Sequence, residues 1–241
     1  MADKSDVVIE AFTELAPRYE KTVDQELRRF WGLSYGQFID RLSGLVLLSE
    51  GDVVLDVATG TALIPLKVAH KVGVRGQVVG LDITLAMLRR AQKNAEAARS
   101  SSCINLVCAS AMNMPFVEGT FDVVICGLGM HHMDVPEMLS EMRRVLKTEG
   151  QLIMADVGAS AFWRSFWGMA LLKILLARYG LTDRSARARA EMEAFPNIRT
   201  ANEWHTILSG FGFTRIEITE FPARHRWYPC ALIMKAVAGS I

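Results

Sequence analysis

The sequence predicts an α/β protein organised around a parallel sheet, and two stretches carry that prediction. Residues 53–62 read VVLDVATGTA, and residues 78–82 read VVGLD. Val53, Val54, Leu55 and Val57 form a short apolar run, the pattern of a strand buried on both faces. The run carries an acid, Asp56, then turns through Thr59-Gly60-Thr61 into a helix-like stretch at 63–72. Strand, glycine turn, helix and second strand make a nucleotide-binding βαβ unit. The second strand ends in Asp82, where a ribose-binding carboxylate belongs.

The turn chemistry narrows the ligand. A dinucleotide site needs glycines in a G-x-G-x-x-G frame so that the backbone can approach a pyrophosphate. Here the frame falls on Gly60, Ala62 and Pro65, so one glycine remains. Asp56 would repel a pyrophosphate and suits a cationic ligand. S-adenosyl-L-methionine carries an ammonium, a sulfonium and a ribose diol, and no phosphate. Asp56 near its amino-acid end, Gly60 passing close by and Asp82 on the ribose make a coherent site. Ala58, Thr59 and Thr61 in the turn, with Ile83 and Met87 after the second strand, complete the expected contacts there. The product would be S-adenosyl-L-homocysteine. The alternative is an ordinary α/β turn with incidental acids.

Composition bounds the rest. The chain has 241 residues and is 51% hydrophobic, which excludes disorder and suffices for one buried core. The net charge of +1 points to no polyanionic partner, and nucleic acid is not expected. Cys103, Cys108, Cys126 and Cys230 lack metal or redox spacing, and three of them, in apolar strand-like contexts, read as buried free thiols. The opening MADKSD lacks the apolar core of a signal peptide, so a cytoplasmic location is expected.

Residues 5–49 read as helices that can cover the ligand site. Val8, Phe12 and Leu15 recur at helical spacing before Pro17. Ser34 and Gln37 form a capping-box pattern, followed by Phe38, Ile39, Leu42, Leu45 and Val46 on one face. The Tyr19 hydroxyl is placed to reach the cofactor, or Tyr19 simply packs. A helix at 85–99 turns Leu85, Leu88 and Ala91 inward. A turn at 100–102 leads to a third strand, 104–109, and then to the loop 110–116. Ligands sit outside the carboxyl ends of such strands. Ser110 and Ala111 are therefore placed to meet adenine. Met112 and Met114 flank its ring or join the core.

A fourth strand, 121–126, opens into Gly127-Leu128-Gly129-Met130-His131-His132-Met133-Asp134. The two glycines let the backbone pass close to a ligand. His131 and His132 stand at the rim, where either can take a proton from an acceptor. Alternatively, one merely orients the loop or caps the next helix. Adjacent histidines rarely converge on one ion and no carboxylate is spaced to help, so no metal is expected. A helix at 136–146, ended by Thr148-Glu149-Gly150, precedes a fifth strand, 151–156. Its terminal Asp156 faces the same edge as Asp56 and Asp82, as a base, a substrate contact or a structural cap.

These residues resemble the class I S-adenosyl-L-methionine-dependent methyltransferases, in the branch of the ubiquinone and menaquinone C-methyltransferases. The matching stretches are 12–19 (FTELAPRY), 51–61 (GDVVLDVATGT), 78–87 (VVGLDITLAM), 111–122 (AMNMPFVEGTFD) and 142–150 (MRRVLKTEG). The resemblance implies a Rossmann-like, seven-stranded, mostly parallel sheet with a C-terminal antiparallel hairpin. It also implies cofactor contacts at Thr61, Asp82, Ser110, Ala111 and Gly127. Three positions depart from the family pattern. Ala62 replaces the usual second glycine and would crowd the cofactor by a methyl. Ser110 replaces an acid or amide, and His131-His132 replaces the Arg-Asn pair of the quinone enzymes.

One domain is expected, with N-terminal helices at 1–50, a cofactor core at 51–159, a helical lid at 160–198 and a final helix and hairpin at 199–241. The lid opens with a strongly apolar stretch, 160–179, rich in Trp and Phe but interrupted by Arg164, Lys173 and Arg178. Spanning a bilayer takes roughly 20 uninterrupted apolar residues, so it is not a transmembrane helix. It reads as a cover for the active site, with Trp163 or Trp167 on the acceptor. A dimer face or peripheral membrane contact is the alternative. Residues 184–189 read as solvated basic surface. A capping box at Thr200 and Glu203 opens a helix, and strands at 213–221 and 227–236 follow. The expected chemistry is direct SN2 methyl transfer to carbon or oxygen of a small, apolar or aromatic acceptor. The rivals are a non-methylating step such as cyclisation, and an interaction protein using helix 162–176.

Overall fold

The computed structural model describes residues 4–99, 103–159, 185–225 and 227–239. The turn 100–102, the apolar stretch 160–179 with Trp163 and Trp167, and Arg226 lie outside the described residues.

Seven strands form one sheet: β1 (Val53–Val57), β2 (Gln77–Asp82), β3 (Ile104–Cys108), β4 (Phe121–Gly127), β5 (Leu146–Gly158), β6 (Phe213–Phe221) and β7 (Cys230–Ala238). Their order is β3-β2-β1-β4-β5-β7-β6, with β7 antiparallel to both neighbours. The chain therefore leaves β1 first to one side and then to the other. The crevice beyond the carboxyl ends of β1 and β4 is the place where such sheets hold ligands.

Alternating residues feed two cores. On one face Leu55, Val57, Val124, Cys126 and Met154 meet Met138, Leu139 and Met142 of α6 (Val135–Val145). On the other, Val54, Val123, Ile125 and Ile153 meet Phe38, Ile39 and Leu42 of α3 (Tyr35–Gly44) and Val68 and Val72 of α4 (Leu63–Val72). Burial on both faces is why these strands read as continuous apolar runs. Strand and helix order thus match the sequence expectation, including both capping boxes: Ser34–Gln37 on α3, and Thr200–Glu203 on the helix Ala201–Gly210.

Several details differ. Helix α6 stops at Val145, and β5 begins at once. The Thr148-Glu149-Gly150 turn is an irregularity inside β5, between the Phe121–Leu146 and Val123–Gln151 pairings, with Glu149 at φ 61°. In α5 (Leu85–Ala97) the inward face is Met87, Leu88, Ala91 and Ala95. Leu85, at the first helical position, stands off that face and is 51% exposed. Leu45, one residue past the end of α3, is exposed as well. Cys108 is exposed because it ends an edge strand, so only Cys126 and Cys230 are buried thiols. The last strand starts at Cys230, since Tyr228 N–H closes a turn onto the His225 carbonyl.

Two short helices, α1 (Lys4–Leu15) and α2 (Tyr19–Trp31), precede α3 and are separated by a 3-10 turn at Ala16–Arg18, where Pro17 sits. Beyond β5, α7 (Ala186–Ala194) packs on α1 through Ala186 and Ala190 against Val7 and Ala11. The ends of the expected 160–198 insertion lie side by side, because Ala159 N–H donates to the Arg199 carbonyl at 3.0 Å. Among the described residues no helix is long and apolar enough to cross a membrane.

Candidate active site

The β1–α4 turn is the first wall. Ala58, Gly60 and Ala62 all have left-handed backbone, with φ of 55°, 54° and 63°. Gly60 N–H donates to Asp82 Oδ2 at 2.9 Å, and Thr84 N–H donates to Asp82 Oδ1 at 2.8 Å. One carboxylate thus ties the turn to the end of β2. Burial raises its pKa, and the two backbone donors oppose the rise. Asp56 is fully buried. Its Oδ2 accepts from the Thr59 hydroxyl at 2.6 Å, and its Oδ1 has no hydrogen-bond partner among the described residues. Burial pushes Asp56 up to about 8, with the Thr59 bond opposing and the Asp82 charge adding to the rise.

A cavity opens over this turn. Ten of the thirteen expected cofactor residues line it: Tyr19, Ala58, Gly60, Asp82, Ile83, Met87, Ser110, Ala111, Met112 and Gly127. Asp56, Thr59 and Thr61 are buried and outside its lining. Ala62 is also fully buried and outside the lining, so its methyl does not crowd the cavity as expected. Met114 belongs to the core. Gly127, which ends β4, and Gly129 line the cavity and are also closely packed from behind. A Cβ on Gly127 would stand 3.1 Å from Ile64, and one on Gly129 would stand 3.0 Å from Ala58. Gly60 is needed for its positive φ, with the Tyr19 ring 3.6 Å from where its Cβ would be. Desolvation pushes the Tyr19 hydroxyl up to about 12, against a lowering hydrogen bond with Tyr35.

The second wall is the 3-10 turn Met130–His132. His131 Nδ1 lies 2.6 Å from Asp156 Oδ1, and both residues are buried. Burial alone would lower the His131 pKa; the charge and hydrogen bond of Asp156, with the charge of Glu191, reverse this and raise it. Asn197 donates to the carbonyls of His131 and Met133, both at 3.0 Å, and so fixes the turn. His132 packs edge-on to Phe12, with ring centroids 5.2 Å apart.

His131 and His132 face a second chamber of about 510 Å³, within the size range of small-molecule sites. Phe12, Tyr19, Leu128 and His132 belong to both cavities, so the two adjoin. Leu27, Phe30, Trp31 and Ile198 make the chamber apolar, and Glu26, Arg187 and Glu191 gather at it as a polar group. Arg187 pairs with Glu26 and, at 3.9 Å, with Glu191. The 184–189 stretch is therefore not all solvated surface: α7 buries Ala186, Ala188 and Ala190, and Arg187 faces the chamber. Burial raises the Glu191 pKa, with His131 and Arg187 opposing.

The model of the ubiE/COQ5 methyltransferase family matches residues 2–163. The chain belongs to this family. As a ubiE/COQ5-type enzyme it uses S-adenosyl-L-methionine as methyl donor. The residues present fit that donor: an unpartnered buried carboxylate oxygen on Asp56 for a cation, and a carboxylate at the end of β2 for a diol. The enzyme is 32% identical over 169 residues to the demethylmenaquinone methyltransferase of Desulfitobacterium hafniense, spanning 68% of this chain and 65% of that one. It is 29% identical over 191 residues to the 2-phytyl-1,4-naphtoquinone methyltransferase of Trichormus variabilis, spanning 77% and 81%. Its fold matches the geranyl diphosphate C-methyltransferase of Streptomyces coelicolor at a TM-score of 0.66 and 15% identity, covering 91% of this chain and 84% of that one.

The sequence reading missed Phe12 as a shared wall, Arg187 and Glu191 as chamber residues, and Asn197 as the clamp. Phe12 lies in the FTELAPRY stretch, which was a usable signal. Glu191 and Asn197 act across 60 or more residues, and local pattern does not report such contacts.

Proposed function

We propose that this ubiE/COQ5-type enzyme methylates a largely apolar, aromatic or quinone-like small molecule held in the chamber beside His131. The observation that carries the reading is the buried His131–Asp156 pair opening on a chamber that shares a wall with the donor cavity. Relatives named for demethylmenaquinone and 2-phytyl-1,4-naphtoquinone support an apolar ring as acceptor.

When bound, S-adenosyl-L-methionine would supply an electrophilic sulfonium methyl, the S–C electron pair staying with sulfur. The leaving group is a neutral thioether, so the protein's main task is positioning. Asp82 would hold the ribose diol, and Asp56, buried behind the turn and bonded to Thr59, would favour the ammonium through its charge. Ile83, Met87, Ser110, Ala111 and Met112 would hold the adenine ring, and Ala58, Gly60 and Gly127 would shape the backbone around it, with Thr61 buried behind the turn. Tyr19 closes the cavity from above. Asp156 accepts the Nδ1 proton of His131, which leaves Nε2 as the base. That nitrogen takes the proton from an acceptor hydroxyl or activated carbon. His132 lies on the shared wall and directs the acceptor toward the methyl. The membership of the family favours methyl transfer over cyclisation.

Calorimetric titration with S-adenosyl-L-homocysteine tests the donor site. Wild type should bind one equivalent, and Asp82→Ala should bind at least 10-fold more weakly, since hydrogen bonds to a charged group contribute about 1.5–3 kcal/mol each. A wild type that does not bind would overturn the reading.

A further inference from the structure

We propose that His131, His132 and Glu191 form a binding site for one divalent first-row transition ion, Zn2+ being the natural probe. One ligand atom from each of the three lies within 4.8 Å of the others. In a tetrahedral site with bonds of about 2.0–2.2 Å, ligand atoms stand about 3.4 Å apart. Rotation of Glu191, whose side chain is partly exposed, can shorten its own distances to the two histidines. The histidines are held by the short turn they occupy and by the Asn197 clamp.

Three further observations agree. The donor set is two imidazoles and one carboxylate, which suits zinc and its neighbours rather than magnesium or calcium. Asp156 already occupies Nδ1 of His131, so Nε2 is the nitrogen left for an ion, and a carboxylate behind a ligating histidine is the usual support of a metal site. Among the described residues, three carboxylates, those of Asp156, Glu191 and Glu26, gather around the histidines with one guanidinium, Arg187, which favours a cation there.

The three ligands converge only in the tertiary structure, where the α7 helix packs on the Met130–His132 turn. The chamber lies on the open side, so water or an acceptor oxygen can complete the coordination. An ion on Nε2 and a proton on Nε2 exclude each other, so this site and the base assigned above are alternatives at one atom. The metal site itself does not depend on the methyl-transfer reading.

The test is a titration of untagged, metal-free protein with Co2+, followed by visible d–d absorption and by competition with Zn2+. The expected result is one saturable tetrahedral or five-coordinate site without a thiolate charge-transfer band. Glu191→Gln and His132→Asn should each weaken it at least 10-fold, and Asp156→Asn should weaken it 10- to 100-fold. Circular dichroism checks that each variant is folded. Absence of saturable binding by wild type would overturn the proposal, as would equal affinity in Glu191→Gln and His132→Asn. S-adenosyl-L-homocysteine binding in the same samples separates the two readings: a protein that binds it but no ion sinks only the metal site, and the reverse sinks only the donor site.

Discussion

His131 Nδ1 and Asp156 Oδ1 meet at 2.6 Å across 25 residues of sequence, each delivered by the carboxyl end of one of two neighbouring parallel strands. Neither residue lines the donor cavity, yet His131 reaches the chamber beside it. Under the proposed function, the pair acts on the acceptor rather than on the methyl donor. Replacing Asp156 with Asn keeps the shape and removes the charge that holds His131 in its basic orientation. Asp156→Asn should lower kcat about 100-fold or more, within the 10²–10⁴ range of general-base contributions. The affinity for S-adenosyl-L-homocysteine should stay within about twofold. A loss shared equally by both measurements would show that Asp156 shapes the fold, not the chemistry.

Ala62 is a local strain point. Its φ of 63° is left-handed, and its side chain is fully buried. A non-glycine residue there loses about 1–2 kcal/mol, which glycine recovers less its larger unfolded-state entropy. Ala62→Gly should therefore raise stability by about 0.5–1 kcal/mol in urea unfolding. Because Ala62 stands outside the cavity lining, donor affinity should change little. A large gain in affinity would mean that the methyl does crowd the ligand.

Asp56 sets a pH dependence whose sign follows from burial. Its folded pKa of about 8 lies above the ordinary carboxylate value of 3.8, so the folded state binds more protons than the unfolded state between them. Stability without ligand should fall as pH rises from about 4 to about 8 and level off beyond. Burial moves Asp82 in the same direction. The raised His131 adds to the trend, since its contribution is full below 6.5 and disappears as pH climbs through the folded value. Asp56→Asn should flatten the slope in thermal unfolding across pH 5.5–8.5. An ammonium beside Asp56 favours the ionised form, so S-adenosyl-L-homocysteine should bind more tightly at pH 8 than at pH 6.

The sheet was legible because its signals are local. Apolar runs ending at Asp56 and Asp82, capping boxes at Ser34 and Thr200, and the stretch around Ser110 each lie within a few residues. The donor cavity was legible for the same reason, since β-strand ends and their following turns supply most of its lining. The acceptor chamber was not. Its polar group joins Glu26, His131, Arg187 and Glu191 from three separate segments, and neither spacing nor composition marks a contact such as Arg187 with Glu26. Exposure at the element ends, as for Leu85 and Cys108, escaped for a related reason: periodicity gives the face of an element but not where the neighbouring layer stops.

Phe12 couples the two cavities, since its ring lines both and packs edge-on to His132 at 84°. An aromatic pair of this kind contributes about 0.5–1.5 kcal/mol beyond its buried area. Its helix, α1, is attached through the small cluster of Val7, Ala11, Ala186 and Ala190 rather than through either main core. Phe12→Ala should therefore leave global stability within about 1–2 kcal/mol of wild type. It should weaken S-adenosyl-L-homocysteine binding about 3- to 10-fold and raise the acceptor KM by a similar factor, because one wall is lost to both. Acceptor KM rising alone would assign Phe12 to the chamber only. Loss of donor affinity alone would assign it to the donor cavity and detach His132 from its role on the shared wall.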